Sequence, residues 1–205
     1  MTTDLEATRT AEFWQQKYDE EATGWDLGGA HPALRAALDL GLLDGLDRVL
    51  VPGAGRGHDA VEIASRGHAV TAVDFAPSAI EAIEANAFAR GVEVEAAAQD
   101  VFDLFERPAG AFDAVYEYTC FCAIDPALRD RYVELITHLV RPGGRLLMFA
   151  FPLHWSRPGP PHAMSMDELR ERFSDGWAGV LDTSPAISPE SRRAHERLWV
   201  IERVG

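Results

Sequence analysis

Apolar residues along this chain fall in short runs, separated by stretches where they recur with a helical period. Val49-Leu50-Val51 is a run of the kind that forms a strand buried on both faces, and Pro52 ends it. Ala60, Val61, Ile63 and Ala64 then share one side of a helix, and a second run over 69–73 reaches Asp74. The pattern repeats: a helix from Pro77 to about Arg90, stopped by Gly91, a strand over 92–98, and a strand over 112–116. A helix from Pro126 through Val140 follows, then a turn at Arg141-Pro142-Gly143-Gly144 and a fifth strand over 145–150. Ahead of the first strand, helices are predicted over 10–20 and 32–40. Beyond the fifth strand, prolines forbid regular structure over 152–162, and Ser165-Met166-Asp167-Glu168 is a capping box for a short helix to about Phe173. Strands over 177–182 and 198–204 close the chain. The polar stretch 184–195 between them leaves no room for a crossover helix, so they pair antiparallel. The pattern predicts one α/β domain spanning 1–205, built on a doubly wound, mostly parallel seven-stranded sheet with a C-terminal antiparallel hairpin.

Composition narrows the functional classes. A hydrophobic share of 47% and a charged share of 25% are ordinary for a soluble globular protein of 205 residues. The formal net charge of −14 offers little to phosphates or to anionic membrane surfaces, so neither nucleic acid nor membrane is an expected partner. The two cysteines, Cys120 and Cys122, are too few for a disulfide framework or a zinc cluster, and no metal is expected. Free thiols suit a reducing cytoplasm, the expected location. The N-terminus lacks a basic segment followed by an apolar one, and no run approaches the roughly 20 apolar residues that span a bilayer.

The candidate chemistry is concentrated between Arg48 and Asp74. Gly53, Gly55 and Gly57 make a turn in which a ligand can approach bare backbone, and Asp74 ends the next strand where a carboxylate can accept from a ribose diol. An adenosine-bearing cofactor fits this unit. The spacing is G-x-G-x-G rather than the dinucleotide G-x-G-x-x-G, which leaves nicotinamide cofactors and S-adenosylmethionine both open. Asp100 sits where it can accept from an adenine amino group, with Val101 or Phe102 against the ring, while Asp103 reads as a turn residue. Trp14, Tyr18 and Trp25 are large aromatics placed ahead of the first strand, in the segment 1–30; they read either as a flap over the cleft or as packing over the sheet edge, with Tyr18 on the side of packing. The stretch Glu117-Tyr118-Thr119-Cys120-Phe121-Cys122 makes an aromatic and sulfur-rich pocket wall, and the loop over 151–165 closes the site.

Several of these stretches together resemble the thiopurine S-methyltransferase superfamily and, within it, the halide and thiol methyltransferases. Trp14-x-x-x-Tyr18 is similar to the family's W-x-x-x-W, and Thr23-Gly24-Trp25-Asp26 to its P-W-D segment. Val51-Pro52-Gly53-Ala54-Gly55-Arg56-Gly57-His58-Asp59 resembles V-P-G-C-G-x-G-H-D. The stretch from Glu117 to Pro126 resembles D-Y-x-F-F-C-A-I-x-P, and Gly159-Pro160-Pro161 the family's G-P-P. The resemblance implies the Rossmann-like class I methyltransferase fold, S-adenosylmethionine as methyl donor and a small molecule or anion as acceptor. It puts Trp14 and Trp25 on the cofactor, Gly53, Ala54 and Gly55 at its methionine end, Asp74 with Phe75 at the ribose, and Asp100 with Val101 at the adenine. Glu117 borders the cofactor, and the acceptor pocket falls to Tyr18, Trp25, Tyr118, Cys120, Phe121, Pro161 and His162. Tyr18 in place of Trp, and Thr119-Cys120 in place of bulkier residues, are departures that bear on the acceptor pocket.

Displacement at a sulfonium needs alignment and dryness more than a base, because soft anions carry their own lone pairs. Only a neutral thiol needs help to ionise, and Tyr18, Tyr118 and His162 are the groups at hand. The expected reaction gives a methyl halide or methyl thioether, with a thiopurine-type S-methyltransferase as the alternative. A nicotinamide-dependent oxidoreductase and a non-catalytic cofactor-binding domain are the readings from other classes.

Overall fold

The computed structural model describes residues 5–154 and 156–205; residues 1–4 of the predicted N-terminal cover and Trp155 of the predicted loop lie outside the described residues. Seven strands form one sheet: β1 (Arg48–Pro52), β2 (Ala69–Asp74), β3 (Glu95–Ala98), β4 (Phe112–Tyr118), β5 (Val140–Ala150), β6 (Trp177–Thr183) and β7 (Arg197–Arg203). Their order across the sheet is β3-β2-β1-β4-β5-β7-β6. Neighbouring strands from β3 to β5 pair in parallel, whereas β7 runs antiparallel to both β5 and β6. The chain therefore reverses direction across the sheet at β1–β4, the crevice where open α/β sheets hold ligands.

Among the described residues six α-helices accompany the sheet: α1 (Ala11–Asp19), α2 (Leu34–Asp39), α3 (His58–Ala64), α4 (Pro77–Arg90), α5 (Arg129–Leu139) and α6 (Met166–Arg172). Their caps are local. The Thr10 side chain accepts from the Phe13 N–H, Ser165 accepts from Glu168, and Gly91 closes α4 in the left-handed conformation. Every residue of β4 is buried, because helices cover both faces of the sheet at its centre. Gly57 has φ +74°, and a Cβ there would lie 2.5 Å from Ile83 Cγ1. The third glycine of the turn thus lets α3 pack against α4.

Several boundaries differ from the sequence expectation. The third strand starts at Glu95 rather than at 92, and the helix expected from Pro126 opens as a 3-10 turn over Pro126–Leu128 and ends at Leu139. The fourth strand continues beyond 116 through Tyr118, because Glu117 and Tyr118 keep partners in Met148 and Phe149 of β5. The fifth begins earlier, at Val140, which pairs with Phe112 before an irregularity in the ladder. Among the described residues no helix is long and apolar enough to cross a membrane.

Candidate functional site

A cavity of about 610 Å³ opens at the C-terminal ends of the central strands. Its floor is Gly53 after β1, Val73 and Asp74 at the end of β2, Phe75, and Gln99 and Val101 after β3. Asp74 is fixed by its own backbone surroundings: Gly55 N–H donates to Oδ2 at 2.9 Å and Ala76 N–H to Oδ1 at 3.0 Å. Burial pushes its carboxyl above the ordinary value, opposed by these backbone donors. Gly53 has φ +56°, and a Cβ on it would lie 2.9 Å from both Cβ and Sγ of Cys120. The bare backbone at this turn is what keeps the floor open beside the sulfur wall.

The cover comes from α1 and the loop that follows. Trp14 and Trp25 meet edge to face at 5.6 Å, and Tyr18 and Trp25 at 5.8 Å. Trp14 Nε1 donates to the Thr8 carbonyl at 2.9 Å. Two ion pairs hold the cover down: Asp26 with Arg56 of the glycine turn at 2.9 Å, and Arg9 with Asp125 at 2.7 Å. Thr8, Phe13, Lys17 and Gly24 complete this side of the cavity. Burial, with the charge of Asp74, raises the Tyr18 phenol far above its usual range, so it stays protonated.

The opposite wall is Thr119, Cys120, Cys122, Ala123, Ile124, Phe151, Pro160 and Pro161. Thr119 has φ +68°, a left-handed conformation that a β-branched residue rarely adopts, and it ends β4 by turning the chain across the cavity. Burial raises both thiols, and the Cys122 Sγ–H donates to the Thr119 carbonyl at 3.2 Å. The proline loop is docked by His162 N–H, which donates to the Cys122 carbonyl at 2.6 Å. Arg129 of α5 secures it further, donating to the carbonyls of His162 and Ala163.

The cavity brings together Trp14, Tyr18, Trp25, Gly53, Asp74, Phe75, Val101, Cys120 and Pro161 of the residues singled out from the sequence. The others point elsewhere. Ala54 and Gly55 are backbone braces, with Ala54 N–H on the Val73 carbonyl and Gly55 N–H on Asp74. Asp100 accepts from Phe102 N–H at 2.8 Å and caps its own turn, leaving Gln99 and Val101 at the cavity. Glu117 and Phe121 face α5: Glu117 accepts from Phe121 N–H at 2.7 Å, and Phe121 packs under Arg129. Burial lifts the Glu117 carboxyl to about 7. The His162 ring is buried against Gly159, and burial, followed by the Arg129 charge, lowers its pKa. Tyr118 alternates to the other face of β4, where its hydroxyl donates to Glu196 at 2.7 Å.

Arg192 was not visible from sequence. It lies in the stretch read as a polar loop, where no periodicity or motif marks one arginine among several. Yet it is 6% exposed and lines the cavity beside Ser191. Its Nη2 donates to the Trp25 carbonyl at 2.7 Å and its Nη1 to the Tyr118 hydroxyl. The guanidinium lies 4.8 Å from the Phe151 ring centroid and 5.3 Å from that of Tyr118. Among the described residues its hydrogen-bond partners are neutral oxygens, with no carboxylate at ion-pairing distance.

Comparison with known proteins agrees with this geometry. The family model described as Thiopurine S-methyltransferase matches residues 9–203. A probable thiol methyltransferase 2 of Arabidopsis thaliana is 32% identical over 190 residues, covering 90% of this chain and 82% of that protein. Thiocyanate methyltransferase 1 of the same plant is 33% identical over 189 residues, with the same coverage. Among solved structures, the 1,6-didemethyltoxoflavin-N1-methyltransferase of Burkholderia thailandensis, which has S-adenosylhomocysteine bound, matches with a TM-score of 0.73 at 22% identity, covering 95% of this chain and 87% of that one.

Proposed function

The chain belongs to the thiopurine S-methyltransferase family of S-adenosylmethionine-dependent enzymes, and on that premise we propose that it methylates a small, soft, anionic nucleophile such as a thiolate, hydrosulfide, thiocyanate or halide ion. The observation that carries this reading is Arg192: a buried cation at the wall of a mostly apolar cavity, with no carboxylate paired to it among the described residues. A buried charge without a directly paired counter-charge favours an anion that supplies one.

The residues present fit the cofactor. Asp74 keeps lone pairs free for a ribose diol, Val73, Phe75 and Val101 offer apolar surface to an adenine ring, and the glycine turn leaves room at the floor where a side chain would collide with Cys120. When bound, S-adenosylmethionine supplies a methyl group on a sulfonium, open to in-line displacement by a lone pair. The chain's own part is to hold, align and dry. Trp14, Tyr18 and Trp25 cover one side and Pro160 and Pro161 the other, which strengthens electrostatics inside. Arg192 holds the acceptor's negative charge at the wall. Neither tyrosine serves as a base. Tyr18 is kept protonated by burial, and the Tyr118 proton is directed to Glu196. An acceptor therefore arrives ionised, a thiol having given its proton to water before it enters, and Arg192 holds the resulting anion.

A nucleophile panel tests the reading: iodide, thiocyanate, hydrosulfide, a small aliphatic thiol and a heteroaryl thiol, each scored by S-adenosylhomocysteine release. Small anions turn over best. For thiols kcat/KM rises with pH as the acceptor ionises, and for halide and thiocyanate it stays flat. Turnover of the heteroaryl thiol alone overturns the reading in favour of a thiopurine-type acceptor.

A further inference from the structure

Arg192 does not stand alone. Behind it a buried chain of donors and acceptors runs from Tyr118 at the end of β4 to Glu196, one residue before β7, and on to His31, ahead of α2. The side chains of His31 and Glu196 are fully buried.

The proton at each link follows from what the groups can do. Arginine only donates, so the Tyr118 oxygen accepts from Nη1 and its own proton goes to Glu196 Oε1 at 2.7 Å. At the far end, Ala33 N–H donates to His31 Nδ1 at 3.1 Å, so the ring proton sits on Nε2 and faces Glu196 Oε2 at 3.3 Å. Glu196 thus receives a donor on each oxygen. Burial alone would raise its carboxyl, but the donors around it, His31 foremost, prevail and hold it below the ordinary value. The His31 ring is stacked on Phe149 at 3.9 Å, and the His31 backbone N–H is fixed by Asp59 of α3 at 2.6 Å. Nothing in this chain can turn around without leaving a buried donor or acceptor unmet.

We propose that Glu196, fixed by His31, is a positioning residue that acts on Arg192 through the Tyr118 hydroxyl and supplies its counter-charge at one remove. A carboxylate in direct contact would occupy the guanidinium that the acceptor needs. With none nearby, a buried cation would be held only by ring faces and neutral oxygens. Placing the carboxylate behind a phenol fixes the guanidinium and leaves it available to the cavity. This inference rests on the reading of Arg192 as the acceptor's charge partner.

A double-mutant cycle separates the two ideas. Thiocyanate Kd is measured by calorimetry with S-adenosylhomocysteine present, and S-adenosylhomocysteine Kd is measured separately, for Tyr118→Phe, Glu196→Gln and the double variant, each checked for a cooperative melt. Each single variant weakens thiocyanate about tenfold. The double variant is no worse than either, because both break one chain, and S-adenosylhomocysteine affinity moves less than about twofold throughout. Additive losses, an unchanged thiocyanate Kd in Glu196→Gln, or an equal loss for S-adenosylhomocysteine overturn the inference. If Glu196→Gln does not fold, Glu196→Asp, which keeps the charge and shortens the reach, takes its place in the same cycle under the same criteria. Arg192→Met decides the underlying reading: an unchanged thiocyanate Kd there, or no thiocyanate binding to the wild type, removes both. Weakening by Arg192→Met without weakening at position 196 removes only the role of Glu196.

Discussion

Asp74, proposed above to hold the ribose, also shapes the floor, since the backbone bonds that orient its carboxylate brace the glycine turn. Asp74→Ala should weaken S-adenosylhomocysteine about ten- to a hundredfold in a calorimetric titration, as a hydrogen bond to a charged group is worth about 1.5–3 kcal/mol. An unchanged Kd would rule out the ribose contact. Glu117 carries a different expectation. Burial raises its carboxyl from 4.5 to about 7, so the folded chain holds this proton more tightly than the unfolded one. Its contribution to stability is complete below pH 4.5, declines as pH rises to about 7, and is lost above. Glu117→Gln removes this titration, so its melting temperature relative to wild type should climb between about pH 5 and pH 8; a difference independent of pH would refute it. At this scale a residue's place at the cavity was legible in the sequence where its chemistry and its place in a motif coincide, as for Gly53, Asp74, Trp14 and Trp25. It was not legible where strand alternation or a local cap redirects a side chain, as for Tyr118, Glu117 and Asp100. Arg192 was hidden because only tertiary folding brings its loop to the cavity.

At the scale of elements, the β1–turn–α3–β2 unit could be read from sequence because apolar runs, prolines and glycines mark its ends. The end of β4 could not. No proline or glycine interrupts 112–122, and the strand stops only where Thr119 turns left-handed. The cover is likewise an element whose hold is tertiary. Asp26 joins it to Arg56 at 2.9 Å and approaches His58 at 3.5 Å. These partners are partly exposed, so the clasp is worth roughly 1 kcal/mol or less, about a fivefold effect on an equilibrium. Asp26→Asn should speed S-adenosylhomocysteine release by up to about fivefold in stopped-flow tryptophan fluorescence, with melting temperature little changed. A release rate equal to wild type would show that the clasp does not restrain the cover.

For the molecule as a whole, the mostly parallel seven-stranded sheet and its closing antiparallel pair followed from the sequence pattern, because connection lengths allow few other topologies. The charge distribution did not. A chain of net charge −14 attracts a cationic methyl donor and repels the anionic acceptor proposed above, for which Arg192 is the cation at the wall. Salt should therefore act in opposite directions on the two substrates. Raising ionic strength with a non-nucleophilic salt should increase KM for S-adenosylmethionine and lower it for thiocyanate. Parallel shifts would mean that the long-range field plays no part. One further consequence belongs to the molecule's working life. The soft nucleophiles built into the cavity wall are its own two sulfurs, Cys120 and Cys122. Burial keeps both as thiols, and a thiol, unlike a thiolate, is a poor target for alkylation. Kept as thiols, the two sulfurs are poor targets for the methyl donor proposed to occupy the same cavity.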